Sequence, residues 1–310
     1  MEEFKRFCKQ SLLFILPLVF LLTVVEYRLG TFKNGFNRKK DIFLSKVSEI
    51  DTLILGNSRT LGGIDPDYLD GTAFNLSHNA QSNNLSLYLF LKYADKMKNL
   101  KTLVIHFDNY ATRDLCAGDY SWRCDYYQKY HAYPHRMSLT PYLLFFLYDV
   151  PKNVHFLTMP LYSDLLPTQK DNGFLKFEKK GELEKKDAEY LLKFHFGEIK
   201  AEDKVDLRDA RLEKMLDFAE EKGIRTVLII TPTFSDYFKG KPANYETALK
   251  EYAEDLILKY KNVHYLDMER DERFEEGDFK DVYHLSGQGA EKATKILNDY
   301  LKNLDSRNAL

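Results

Sequence analysis

Five short apolar runs constrain this chain most: "DTLILG" (51–56), "TAFNLS" (72–77), "KTLVIHF" (101–107), "RTVLIIT" (225–231) and "VHYLDM" (263–268). They are rich in Val, Ile, Leu and Thr, and several continue without a polar break. A half-exposed strand alternates apolar and polar residues, so unbroken runs point to a parallel sheet covered on both faces. Helical patterns lie between them. Residues 86–99 precede the third run, 207–223 the fourth with Gly223 as the helix stop, 245–261 the fifth, and 289–304 follow it. Strands alternating with helices imply an open α/β fold of three layers. Right-handed crossovers then gather the loops at the strands' C-terminal ends on one edge, where ligands bind.

Before the first strand lies "SLLFILPLVFLLTVV" (11–25), uncharged and preceded by Lys5, Arg6 and Lys9. With its flanking residues it approaches the roughly 20 residues of a spanning helix. The following "TVVEYRLG" offers large residues where signal cleavage needs small ones. The reading is an uncleaved anchor over residues 1–28 and a body over 29–310. Basic residues flank both ends of the segment, Lys5, Arg6 and Lys9 before it and Arg28, Lys33, Arg38, Lys39 and Lys40 after, so charge leaves orientation open.

The body reads as globular, the chain being 44% hydrophobic and 30% charged. A net charge of −2 supplies no basic field for nucleic acid, which is excluded as a partner. More than a hundred residues separate the third and fourth strands, too many for a crossover, so an insertion is expected at about 110–205. Its first half (114–151) is aromatic: a lid, a glycan platform, a membrane-facing cover or a small helical subdomain. Its second half, "KFEKKGELEKKDAEY" (176–190), reads as a solvated charge run. Cys116 and Cys124 could pair in an oxidising compartment or remain core thiols. No His/Cys spacing suits zinc, and no metal or cofactor is expected.

The chemistry is expected at two distant places. "LILGNSRT" (53–60) ends a strand at Gly56 and presents Asn57, Ser58 and Arg59. A serine after a strand is commonly a cap, and its hydroxyl is a weak nucleophile without a base in reach. "DVYHLSGQGA" (281–290) supplies a base: Asp281 and His284, three residues apart, ahead of a helix that Ser286 would cap. At that spacing the carboxylate can hold one imidazole nitrogen while the other faces outward. "GNSRTLGG" is neither a dinucleotide fingerprint nor a P-loop, which disfavours nucleotide binding.

Together "ILGNSRT" and "DVYHLSGQGA" resemble the first and last blocks of the SGNH/GDSL hydrolase superfamily. The resemblance implies a flavodoxin-like three-layer fold with a five-stranded parallel sheet. It implies Ser58 as nucleophile, His284 as general base and Asp281 as its partner. "FNLSHNAQS" (74–82) stands at the second block, with Ala80 at the oxyanion glycine, whose backbone N–H is what matters. The third block is poorly matched: "HFDNY" offers Asn109, or less well Asp108, as a side-chain oxyanion donor. Arg59 would hold an anionic substrate group or pair with a core carboxylate.

With its anchor the chain is similar to membrane-bound bacterial SGNH-like proteins of envelope glycan acylation, which often work beside a membrane O-acyltransferase. The implied function is a serine esterase or O-acyltransferase on acyl esters of an envelope glycan, with the body outside the cytoplasm. The alternative is a non-catalytic SGNH-like scaffold or glycan-binding partner of such an acyltransferase.

Overall fold

Each apolar run becomes a strand: β1 (Thr52–Leu55), β2 (Ala73–Asn75), β3 (Thr102–His106), β4 (Arg225–Ile230) and β5 (Val263–Asp267). In this computed structural model, residues 1–30, 35–108, 122–134, 143, 169–179 and 181–308 are described. All pairings are parallel, in the order β2-β1-β3-β4-β5, which is flavodoxin-like. The register places Ile54 beside Val104 and Val104 beside Val227. These three point to one face, into a core with Ala293, Leu297 and Leu301 of the last helix, α10 (Gly287–Asn308). The residues between them, Leu53, Leu55, Leu103 and Ile105, are equally buried and face the other way. Strands buried on both faces need no polar alternation, hence the unbroken runs.

Chain order supplies the remaining helices: α1 (Glu2–Gly30), α2 (Gly35–Lys46), α3 (Ser58–Leu61), α4 (Asn83–Tyr93), α5 (Trp122–His131), α6 (Lys185–Phe196), α7 (Ala210–Glu221), α8 (Ser235–Phe238) and α9 (Ala243–Lys259). On the second face Phe90 of α4 meets Phe218 of α7 edge to face. Gly223 ends α7 with φ +66, the left-handed conformation of a helix stop. There Ile224 N–H bonds Ala219 O at 2.8 Å and Gly223 N–H bonds Glu220 O at 3.0 Å. Ser286 caps α10 as expected, its Oγ accepting from Gly289 N–H at 3.3 Å.

The chain forms two compact units, one of residues 1–40 and 119–167, the other of 41–118 and 168–310. The second holds the sheet and takes the chain back at 168, where the sequence suggested about 205. In the first unit α1 is 29 residues long and apolar enough to cross a membrane or to act as a signal sequence. At about 1.5 Å per residue it exceeds the roughly 30 Å of a hydrocarbon core. In the same unit Phe36 stacks on Tyr126 of α5 at 4.9 Å and meets Tyr127 edge to face at 5.3 Å. Cys124 is buried and disulfide-bonded; Cys116 lies outside the described residues.

The charge run 176–190 is not wholly a solvated excursion. Its end opens α6, which buries Ala188, His195 and Phe196 in the sheet-bearing unit. Phe177 packs beside residues 62 and 284. Surrounding lysines and glutamates mask one aromatic anchor in any average over the stretch.

Candidate active site

β1 runs into a sharp turn because Gly56 has φ +153 and no room for a side chain. A Cβ there would collide with His106 Cβ and Thr60 Oγ1. The next residue, Asn57, caps α3, its Oδ1 accepting from Arg59 N–H at 2.9 Å. Capping thus falls to Asn57, and the Ser58 hydroxyl is left for another partner. Asn75 of β2 braces the turn, its Nδ2 donating to Thr60 O and Ile64 O, both at 2.8 Å.

That partner is His284. Ser58 Oγ lies 2.8 Å from His284 Nε2, across 226 residues of sequence. His284 Nδ1 lies 2.9 and 3.0 Å from the two oxygens of Asp281. The Asp281 carboxylate also accepts the backbone N–H groups of Tyr283 (3.0 Å) and His284 (2.9 Å). Burial opposes its charge, but the His284 hydrogen bond and charge, the Tyr283 N–H and Lys280 prevail and lower Asp281 to about 2. An ionised carboxylate only accepts, so Nδ1 carries the proton. In the neutral ring Nε2 is then the acceptor, facing the Ser58 hydroxyl.

Ser58 and Asp108 follow β1 and β3, neighbouring strands on either side of the point where strand order reverses. In open α/β sheets that crevice at the strands' C-terminal ends is where ligands bind.

Arg59 turns inward, toward the second of its two expected roles. It is 3% exposed; its Nη1 meets Asp108 Oδ2 at 3.4 Å, its Nη2 meets Glu269 Oε1 at 4.0 Å, and it donates to Thr231. Burial opposes the guanidinium charge, yet Tyr283, Asp108 and Glu269 raise its pKa. A cavity of about 10 Å³, lined by Arg59, Asp108, His195, Tyr237, Lys241 and Tyr283 among others, has room for one water and none for a substrate's anionic group.

Asp108 also differs from its sequence reading as a donor. Its Oδ2 accepts from Arg59, from Tyr283 O–H at 3.1 Å and from His106 Nε2 at 2.6 Å. Burial lowers the His106 pKa against the pull of Asp108, so the ring is neutral at pH 7 and donates. Burial likewise raises the Tyr283 phenol. Lys241 closes the network on Glu269 at 2.6 Å. Sequence reasoning missed these partners, although "IHFD" ending β3 and the Tyr283–His284 pair were visible traces.

Ala80, the expected oxyanion position, is buried with φ +51. Its loop lies against the nucleophile turn, with His78 N–H donating to Gly56 O at 3.2 Å. An alanine held in the left-handed region is where a glycine fits without strain. Asn109 lies outside the described residues. Among those described, no group of three or more His, Cys, Asp or Glu side chains could hold a metal ion.

No family model matches the chain, and no curated protein does. Among solved structures, one from Streptococcus pneumonia, provisionally named a platelet activating factor, superimposes with a TM-score of 0.41 at 11% identity. The match covers 93% of this chain and 98% of that one. Likeness at that level carries no argument about function.

Proposed function

We propose that this chain is a serine esterase or O-acyltransferase acting on acyl esters of a cell-envelope glycan. The observation that carries the reading is the continuous line from Ser58 Oγ through the His284 imidazole to Asp281. In this mechanism Ser58 Oγ bonds to the acyl carbon while its proton passes to His284 Nε2. Backbone N–H groups of Ser58 and Ala80 receive the carbonyl oxygen as it gains charge. Collapse breaks the ester C–O bond, and His284 returns the proton to the leaving alcohol. Water or a sugar hydroxyl then attacks the acyl-enzyme, giving up its proton to His284 and releasing Ser58.

The apolar α1 and the disulfide on Cys124 support an anchored protein whose body lies in an oxidising compartment. A membrane O-acyltransferase is the partner that would supply or accept the acyl group. The test is labelling of the full-length chain by a fluorophosphonate. Ser58→Ala and His284→Ala should each abolish it; labelling unchanged in Ser58→Ala overturns the assignment.

One observation favours a second reading, a non-catalytic scaffold beside such an acyltransferase: Asp108 is committed to a buried network and donates nothing to an oxyanion. Full complementation of a deletion strain by both Ser58→Ala and His284→Ala would establish it.

A further inference from the structure

Residues 175–177 lie across the two segments that supply nucleophile and base. Leu175 N–H donates to Leu61 O at 3.1 Å, at the end of the short helix that Ser58 begins. Two residues on, Phe177 O accepts from Gly287 N–H at 3.0 Å, three residues beyond His284. One tripeptide therefore ties both halves of the site by backbone hydrogen bonds. Its root is firm as well. Asn75 N–H, at the end of β2, donates to Asn172 O at 2.8 Å, and Phe174 is 1% exposed.

Two glycines admit this strap. A Cβ on Gly62 would enter the Phe177 ring, and one on Gly287 would stand 2.6 Å from Lys176 Cε. One glycine follows the nucleophile and the other follows the base, so both segments carry no side chain where the strap presses. Phe177 is half-buried and meets the His284 imidazole edge to face, with ring centroids 5.6 Å apart at 82°. Lys280 Nζ sits 4.3 Å from the same ring centroid and 3.7 Å from Asp281 Oδ2. Nothing in the triad chemistry requires an aromatic ring there, and the proposed mechanism gives it no proton to move.

We infer that Phe177 is a positioning residue, which holds the His284 ring in line with Ser58 while the strap fixes the distance between their segments. The inference rests on the proposed roles of Ser58 and His284. An imidazole that Asp281 holds at one nitrogen can still swing about that bond. A ring packed edge to face against it removes that freedom at little entropic cost, because phenylalanine has few rotors. Misplacement of a reacting group by about 1 Å can cost on the order of a hundredfold in rate.

The experiment measures fluorophosphonate labelling of the full-length chain in detergent, with the maximal rate of phosphonylation resolved from the half-saturating probe concentration. Phe177→Ala should slow the maximal rate by about tenfold to a hundredfold. Half-saturation should stay within about threefold, and Phe177→Tyr, which keeps the ring, should restore most of the rate. A merely structural role would lower the labelled fraction or the melting temperature and leave the rate of the folded fraction unchanged. Wild-type rate in Phe177→Ala, or a loss confined to half-saturation, overturns the inference while Ser58-dependent labelling persists in the parent chain. Absence of Ser58-dependent labelling in the parent would instead overturn the reading on which it rests.

Discussion

The nucleophile and base segments share one device: each sends one side chain outward to the site and its neighbour inward to the core. Ser58 and His284 are half-buried, whereas Arg59 and Tyr283 are 3% and 7% exposed. The outward pair meets at 2.8 Å, and the inward pair converges on Asp108 Oδ2. Arg59 also stacks over the Tyr283 ring, 5.0 Å from its centroid. The outer layer can do chemistry because the half-exposed Ser58 and His284 can meet a substrate. The inner layer is closed and mutually satisfied, and it fixes the backbone from which the outer pair projects.

The largest effect expected in the outer layer beyond the nucleophile and base is that of Asp281→Asn. It keeps the shape but no longer imposes the reactive tautomer on His284. Labelling or turnover should fall by about a thousandfold or more, measured against the parent at equal folded concentration.

In the inner layer Asp108→Ala would strand the Arg59 charge and two donors inside the protein. A loss of about 3–5 kcal/mol is expected by denaturant unfolding, because an unpaired buried charge keeps its full desolvation cost. If stability is unchanged, the two layers are not coupled through Asp108.

A smaller effect comes from pH. Asp281 titrates near 2 in the fold, against about 4 in an unfolded chain, so protonation favours unfolding. Its contribution is complete above pH 4 and disappears as pH falls toward 2. Melting temperatures of the parent and Asp281→Asn should therefore converge over that interval.

The smallest change sharpens the outer layer. Ala80→Gly relieves an alanine at φ +51 and should raise stability by up to about 1 kcal/mol, with labelling retained because the backbone N–H remains.

Much of this was legible beforehand because it is local. The five strands reveal themselves through apolar continuity, a consequence of both faces being covered, and Gly223 and Ser286 through the chemistry of helix ends. The Ser58 and Asp281–His284 segments could be paired in advance because parallel topology brings their loops to one edge. The inner layer was illegible for a physical reason. Charged residues are ordinarily exposed, and only mutual pairing allows Arg59, Asp108, Lys241 and Glu269 to be buried. Their partnerships span 28 to 210 residues of chain, as Lys241 with Glu269 and Arg59 with Glu269 illustrate, and no local pattern encodes them.

By itself, then, the sequence determined the class of sheet, the edge on which a site could form, and the residues able to form a serine–histidine–carboxylate line there. Backbone periodicity and side-chain chemistry suffice for those. Tertiary structure alone decided that Asn57 takes the cap and frees Ser58, that Arg59 faces the core, and that a phenylalanine from a charged stretch packs against His284. Each of those depends on which side chain of a neighbouring pair finds its partner across the fold.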